Sequence, residues 1–269
     1  MMDLDEVFEE LKKFDRYKFY EEPHVYTYLE DDGMESEVGI SVTTLIEDYA
    51  NPFDEDNAAE NKSKKIGVSK HEILDKWHYD RDFACLKGTH VHAYNENLWR
   101  DGSLYKYDKD SVINEFGSDV LKPIWNKLKK ICDLFYDKFK DNLIPIGLEQ
   151  IVGSRDYDIA GSIDFLAYSK KLNSLIIIDY KTNKSIKSKS FNNIKMLSPL
   201  GEIDDCNFYH YSLQLAIYKY ILEHETNLKV YPKKWLIWIN EENDNFKLYE
   251  CANLDDKAKE ILELRRVKK

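Results

Sequence analysis

Apolar residues alternate or cluster in three short blocks near the middle of the chain, over 146–153, 160–168 and 175–181, separated by turn-forming residues. Blocks of that length, rich in Ile and aromatics, predict strands, and the short loops between them predict a three-stranded antiparallel meander. Elsewhere a spacing of three and four dominates. It predicts an opening helix over 3–14, a helix ending near Trp77, another over 82–99, a long one over 118–140 with Pro123 in an early turn, one over 208–223, and a terminal helix. Ser69-Lys70-His71-Glu72 has the spacing of a capping box and marks a helix start. Residues 24–30 and 37–42 flank Asp31-Asp32-Gly33 and predict a hairpin, and residues 235–239 and 246–249 predict two late strands. The order implies an α/β protein forming one structural unit. Residues 1–84 make a mainly helical N-terminal elaboration, 85–251 the core and 252–269 a C-terminal helix.

The meander lines up acids. A symmetric turn between Asp156 and Tyr157 sets Glu149 across from Asp164, and one between Lys171 and Leu172 sets Asp164 across from Asp179. Side chains alternate along a strand, so Lys181 shares the face of Asp179 while Tyr180 points away. Like charges opposed across a sheet cost about 0.2–1 kcal/mol per pair when exposed, and more when buried. A divalent cation offsets that repulsion, and carboxylates rather than thiolates favour Mg2+ or Mn2+ over Zn2+. The competing reading is a row of solvated charges on an open sheet face. Asp-x-Lys by itself says little, because Asp255-Asp256-Lys257 repeats the spacing.

Glu149, then Gly161-Ser162-Ile163-Asp164, then Ile176-Ile177-Ile178-Asp179-Tyr180-Lys181, resembles the PD-(D/E)XK nuclease superfamily, with Ile163 where the family's name has proline. Gly88-Thr89-His90-Val91-His92-Ala93-Tyr94-Asn95-Glu96 upstream and Gln214-Leu215-Ala216-Ile217-Tyr218 downstream resemble its RecB-like exonuclease branch. Residues 39–46 resemble the opening of phage-encoded and mitochondrial genome maintenance exonucleases of that branch. The resemblance implies a core of helix, three-stranded antiparallel meander, helix and strand. It implies catalysis by Glu149, Asp164, Asp179 and Lys181, with Mg2+ or Mn2+ held by Asp164 and Asp179, assisted by His92, Glu149 and the Tyr180 backbone carbonyl.

The flanking motifs also have a plain physical content. His92 and Glu96 share one helix face, Gly88 lets that helix approach a neighbour, and His90 points elsewhere. Gln214 and Tyr218 share a face of the helix over 208–223; they are either boundary and core residues or, as the resemblance implies, supports for the lysine or the nucleic acid. Cys85, Cys132, Cys206 and Cys251 show no Cys-x-x-Cys spacing, against a zinc site or a disulfide framework. Some RecB-like nucleases hold an iron–sulfur cluster on one cysteine before the histidine motif and a closely spaced trio after the core. Cys85 suits the first position but no trio follows, so no cluster is expected.

A net charge of −11 opposes nucleic-acid binding unless cations are concentrated. They are. Residues 181–195 carry Lys181, Lys184, Lys187, Lys189 and Lys195 and no acid, and Lys184, Lys187 and Lys189 are candidate phosphate contacts in a loop that orders on binding. Lys233-Lys234 and residues 265–269 extend the track or solubilise an end. Nineteen tyrosines and twelve phenylalanines offer stacking surfaces, although most serve packing. No apolar run approaches a membrane span and residues 1–13 are acidic and amphipathic, so a cytoplasmic protein without signal or transit peptide is expected. The sequence therefore points to a Mg2+- or Mn2+-dependent exonuclease acting on single-stranded or end-bearing DNA in replication, repair or recombination. A site- or structure-specific endonuclease on the same core, or an inactive nucleic-acid-binding relative, remain the alternatives.

Overall fold

The computed structural model describes residues 2–101 and 118–266. Asp3 caps α1 (Leu4–Leu11) by accepting from the Asp5 amide at 3.0 Å. β1 (Tyr17–Tyr20), β2 (Val25–Leu29) and β3 (Glu35–Glu37) then form a small antiparallel sheet. The hairpin expected around Asp31-Asp32-Gly33 is present, but its second arm ends at Glu37 rather than at Val42. The cause lies two residues on, where the Gly39 amide donates to Asp158 Oδ1 at 2.9 Å and draws the chain to the main sheet. Ile40–Ser41 (β4) pairs there, and Ser41 caps α2 (Val42–Glu47), accepting from the Thr44 amide at 3.0 Å.

α3 (Glu55–Ile66) starts on Asp54 and stops at Gly67, whose φ of 70° is one that glycine adopts without strain. α4 (Lys70–Asp101) begins with the predicted capping box, Glu72 N donating to Ser69 Oγ and Ser69 N to Glu72 Oε2. It runs for 32 residues without a break where the periodicity predicts two helices. The polar stretch His78 to Asp82 contains no helix breaker, so losing its apolar stripe exposes that part of the helix without ending it. The boundary expected at 84/85 lies inside this helix. α5 (Ser118–Phe139) follows and carries Pro123.

The main sheet is built on β5 (Leu143–Ser154), β6 (Ile159–Ser169) and β7 (Ser174–Lys181). β5 pairs β6 through Leu148↔Phe165 and Gln150↔Ile163, and β6 pairs β7 from Phe165↔Ile178 to Ser169↔Ser174. Both registers are those that symmetric turns at 156/157 and 171/172 produce. After α6 (Asn207–Glu225), β8 (Trp235–Trp238) joins β7 in parallel, β9 (Lys247–Glu250) joins β8 antiparallel, and α7 (Asp255–Arg265) closes the described chain. The result is a mixed six-stranded sheet with seven α-helices among the described residues.

Both faces of that sheet are covered, which is why 175–178 is an unbroken apolar run instead of an alternating one. Phe165, Ala167, Ile176, Ile178 and Tyr180 pack against Val91 and Trp99 of α4 and Trp125 and Phe135 of α5. Leu166, Tyr168, Leu175 and Ile177 pack on the other side against Val42, Leu213, Ile217 and Ile261 of α2, α6 and α7. No helix among the described residues is long and apolar enough to cross a membrane.

Tyr218 of α6 lies so close to β6 that a Cβ on Gly161 would stand 2.6 Å from its ring. Gly161→Ala is therefore expected to destabilise the protein by about 1–3 kcal/mol in denaturant melts. Combined with Tyr218→Leu it should cost less than the two single changes summed, because the clash is then gone. Simple additivity would show that the glycine is not there to admit the ring.

Candidate active site

The site grows out of an edge change on β6. One edge of this strand carries β5 along its length, while the other pairs with β4 at Ile159 and Ala160 and with β7 only from Phe165 onward. Asp164 sits where the β7 ladder would otherwise continue. Its Oδ2 accepts from the Tyr180 amide at 2.8 Å, so a side chain takes over from the backbone and the strands part around a carboxylate. Glu149 is opposite on β5, in a left-handed conformation with φ 48°. Such a backbone costs on the order of 1–3 kcal/mol in a non-glycine residue and persists where surrounding structure enforces it. Ser162 Oγ donates to Glu149 Oε2 at 3.2 Å and helps hold the carboxylate.

His92 arrives from α4. Its Nε2 lies 3.0 Å from the Tyr180 carbonyl oxygen, which can only accept, so Nε2 carries the proton and donates. That assignment turns Nδ1 toward the acids, 3.5 Å from both Glu149 Oε1 and Asp164 Oδ2. His92, Glu149 and Asp164 thus offer three ligand atoms within 4.8 Å of one another. The Tyr180 carbonyl, expected among the ion ligands, here orients the histidine. His90 is buried against Trp125 with ring centroids 5.6 Å apart and belongs to the core.

Asp179 lies outside that group of three. It is 1% exposed, and Lys181 Nζ approaches its Oδ2 to 2.6 Å as an ion pair, yet neither carboxylate oxygen accepts an aligned hydrogen bond among the described residues. Burial raises the pKa of Asp179, and the neighbouring charge of Asp164 raises it further against the pull of Lys181. Burial likewise raises Asp164, which His92 and Lys181 counter and Glu149 reinforces. On His92 burial acts downward, but Asp164 and Glu149 outweigh it and lift the imidazole to about 9. Lys181 is lifted too, the pull of Asp179 and Asp164 exceeding its own desolvation. The cluster is therefore a concentration of negative charge that favours the protonated forms of Asp164, Asp179, His92 and Lys181. Two oxygens and one nitrogen converging, with the buried Asp179 carboxylate beside them and its Oδ1 without a partner among the described residues, suit a small divalent cation.

The lysine has a support that the motifs did not reveal. Its ammonium lies 4.5 Å from the centre of the Tyr211 ring on α6, and Tyr211 OH donates to Asn183 Oδ1 at 2.8 Å. The Asn183 carbonyl in turn accepts from Trp238 Nε1 at 2.7 Å and Asn240 Nδ2 at 3.1 Å. Tyr211 falls three residues before Gln214 and seven before Tyr218, on the same helix stripe, and that spacing was the available signal. Gln214 and Tyr218 bond to each other, Nε2 to OH at 3.0 Å. Glu96 pairs with Arg100 on α4 and does not join the acids. Gly88 faces Thr182, where an added Cβ would make ordinary contact at 3.5 Å, so alanine fits. In the basic loop, Lys189 and Lys195 pair with Asp204 at 3.5 and 2.7 Å, while Lys184 and Lys187 have no ion-pair partner among the described residues.

The model of the PD-(D/E)XK nuclease superfamily matches residues 47–267, most of the chain. The chain belongs to that superfamily. Its members are nucleases, and the mixed α/β fold agrees with theirs. Among solved structures it is similar to a protein from Eubacterium rectale whose name carries a provisional exonuclease assignment. That match has 14% identity and a TM-score of 0.39, covering 68% of this chain and 64% of the other. A second similar structure, SSO0001, has 21% identity and a TM-score of 0.28, with 59% and 63% covered. This chain thus spans under two thirds of either relative's length. No curated protein matches it by sequence.

If the cluster holds a divalent ion, its charge repulsion is a liability only without one. In EDTA, Asp164→Asn should melt a few degrees higher than the unchanged protein, since about 1 kcal/mol moves the midpoint by 2–4 °C at this size. The amide oxygen can still accept from the Tyr180 amide. Addition of Mn2+ should reverse the order by stabilising only the unchanged protein. Melting curves that ignore Mn2+ in both proteins would remove the ion from this site.

Proposed function

We propose that this superfamily member is a Mg2+- or Mn2+-dependent DNA exonuclease that hydrolyses phosphodiester bonds from a free end, in replication, repair or recombination. The observation that carries the reading is the convergence of His92, Glu149 and Asp164 at the parted strands, with Asp179 and Lys181 beside them. The preference for an end rests on the likeness of the Gly88 to Glu96 and Gln214 to Tyr218 motifs to RecB-like exonucleases.

In this reading Glu149, Asp164 and His92 Nδ1 hold the ion, with Asp179 adjoining. The ion would polarise a phosphoryl oxygen and lower the pKa of a bound water. The protein's own groups do the rest. The Tyr180 carbonyl holds the proton on His92 Nε2, so Nδ1 loses its proton to an incoming ion and becomes the ligating nitrogen. Lys181 cannot lose its proton at neutral pH and acts as a fixed donor, orienting the attacking water and meeting the charge that develops on the phosphate. Asp179 and the Tyr211 ring fix the ammonium from two sides. Gln214 and Tyr218 stiffen the helix stripe that carries Tyr211, and Lys184, Lys187 and Lys189 attract the DNA backbone.

Asp179→Asn, Asp164→Asn and Lys181→Ala should each abolish Mn2+-dependent release of nucleotides from end-labelled linear DNA, while binding to that DNA persists. Wild-type cleavage by either Asn variant would dismiss the assignment. Closed circular DNA should survive the unchanged enzyme; nicking or linearisation of the circle would favour the endonuclease alternative. Tyr211→Leu should lower kcat about 2- to 30-fold with KM little changed, the range of a cation–π contact from exposed to desolvated settings, and Tyr211→Phe should recover much of it. Equal damage from Leu and Phe would assign the role to the hydroxyl and Asn183.

A further inference from the structure

We propose that Phe191 is a stacking platform for an unpaired base of single-stranded DNA, in a subsite just beyond the active site whose phosphates rest on Lys184 and Lys187. The proposal rests on the nuclease reading above and specifies its substrate.

Phe191 is 81% exposed, and Ile194 and Leu197 in the same loop are 44% and 42% exposed. A lone exposed apolar side chain needs no explanation, but this one is presented by an unusual backbone. Asn192 and Asn193 follow it at φ 54° and 56°, two consecutive left-handed residues in a short 3-10 turn. Asparagine tolerates that conformation better than most residues, though still at a cost, so the turn is held open by its surroundings. Those surroundings are well bonded. Asn207 accepts from the Lys187 amide at 2.9 Å and donates to the Ser185 carbonyl at 2.7 Å. The Asp205 amide donates to the Ile194 carbonyl, and the Met196 amide to the Ile203 carbonyl, both at 3.0 Å. The ring is thus offered to solvent from a rigid mount, which lowers the entropy cost of binding.

The loop that carries the mount is tied to the helix that covers Lys181. Asn207 opens α6, and Tyr211, one turn or about 6 Å along it, covers Lys181. Phe191 lies four residues past Lys187, within about 14 Å of it even if fully extended. Charge selects the occupant. Lys189 and Lys195 share the single negative charge of Asp204, whereas Lys184 and Lys187 have no acidic partner among the described residues and can meet phosphates without breaking an ion pair. A flat apolar ring beside free cations matches a base with its phosphates. It favours a single strand, because in a duplex the base faces are already covered.

The test uses the full chain in EDTA, where binding can be read without cleavage, with fluorescence anisotropy of labelled oligodeoxynucleotides. Phe191→Ala should weaken single-strand binding about 5- to 150-fold, the loss expected for one stacked base, and Phe191→Trp should restore it. The melting temperature should stay unchanged because the ring lies in solvent. One abasic position in the strand should erase the difference between wild type and Phe191→Ala. Lys184→Gln with Lys187→Gln should flatten the salt dependence by about 0.7 log units per lost phosphate contact. Wild-type affinity in Phe191→Ala, with binding and Mn2+-dependent cleavage otherwise intact, overturns the proposal and returns the patch to a protein partner. An equal loss on blunt duplex overturns the preference for single strands. Failure of the unchanged protein to bind or cleave any nucleic acid would overturn the nuclease reading itself.

Discussion

Everything near the site follows from one constraint: three carboxylates share a small, partly buried space in which they repel one another. Burial removes the water that would screen them, so their charge must be met locally. The structure meets it with Lys181 against Asp179 and with the imidazole of His92 between Glu149 and Asp164. Those two cations arrive from opposite sides of the molecule. His92 comes on α4 from one helical layer, whereas Lys181 turns toward the other layer and rests on Tyr211 of α6. The sheet sets the acids, and the two layers set the groups that make them tolerable.

The same constraint explains the parting of the strands. A continuous ladder past Phe165↔Ile178 would bring Asp164 and Asp179 into direct cross-strand contact, where opposed like charges are unfavourable. Asp164 instead bonds the Tyr180 amide, which uses up the donor that the ladder would have needed. The left-handed Glu149 is a further expense at the same place. Local rules are broken at Glu149 and Asp164 together, and sites of function are where such conflicts are retained.

How much of this could be read in the sequence depends on the range of the interaction. The meander and its register follow from two short loops, since a symmetric turn fixes every pair above it. The row of acids was legible for that reason. Glu149's backbone was not, because nothing in an apolar pattern marks a non-glycine residue at positive φ. The single long α4 looks like two helices in sequence because exposure interrupts periodicity without interrupting hydrogen bonding. Tyr211 shares its helix stripe with Gln214 and Tyr218, but nothing local marks its role, which lies in touching Lys181, 30 residues away in sequence on another element.

Charge distribution shows most clearly why a stretch of sequence is a poor guide to its own electrostatics. Residues 181–195 look uniformly basic, yet Asp204, just outside the stretch, folds back across a bridge between Lys195 and itself and takes up both Lys189 and Lys195. Lys181 is committed to Asp179. Of the five lysines, Lys184 and Lys187 alone have no acidic partner among the described residues, and both sit on the part of the loop that Asn207 ties to the start of α6. In a chain with a net charge of −11, long-range attraction for a polyanion is weak. Recognition then has to come from short-range contacts made by few groups in fixed positions. Two cations on the loop that follows Lys181 are such a set, and they favour a ligand whose charges are spaced along a backbone over a diffuse anionic surface.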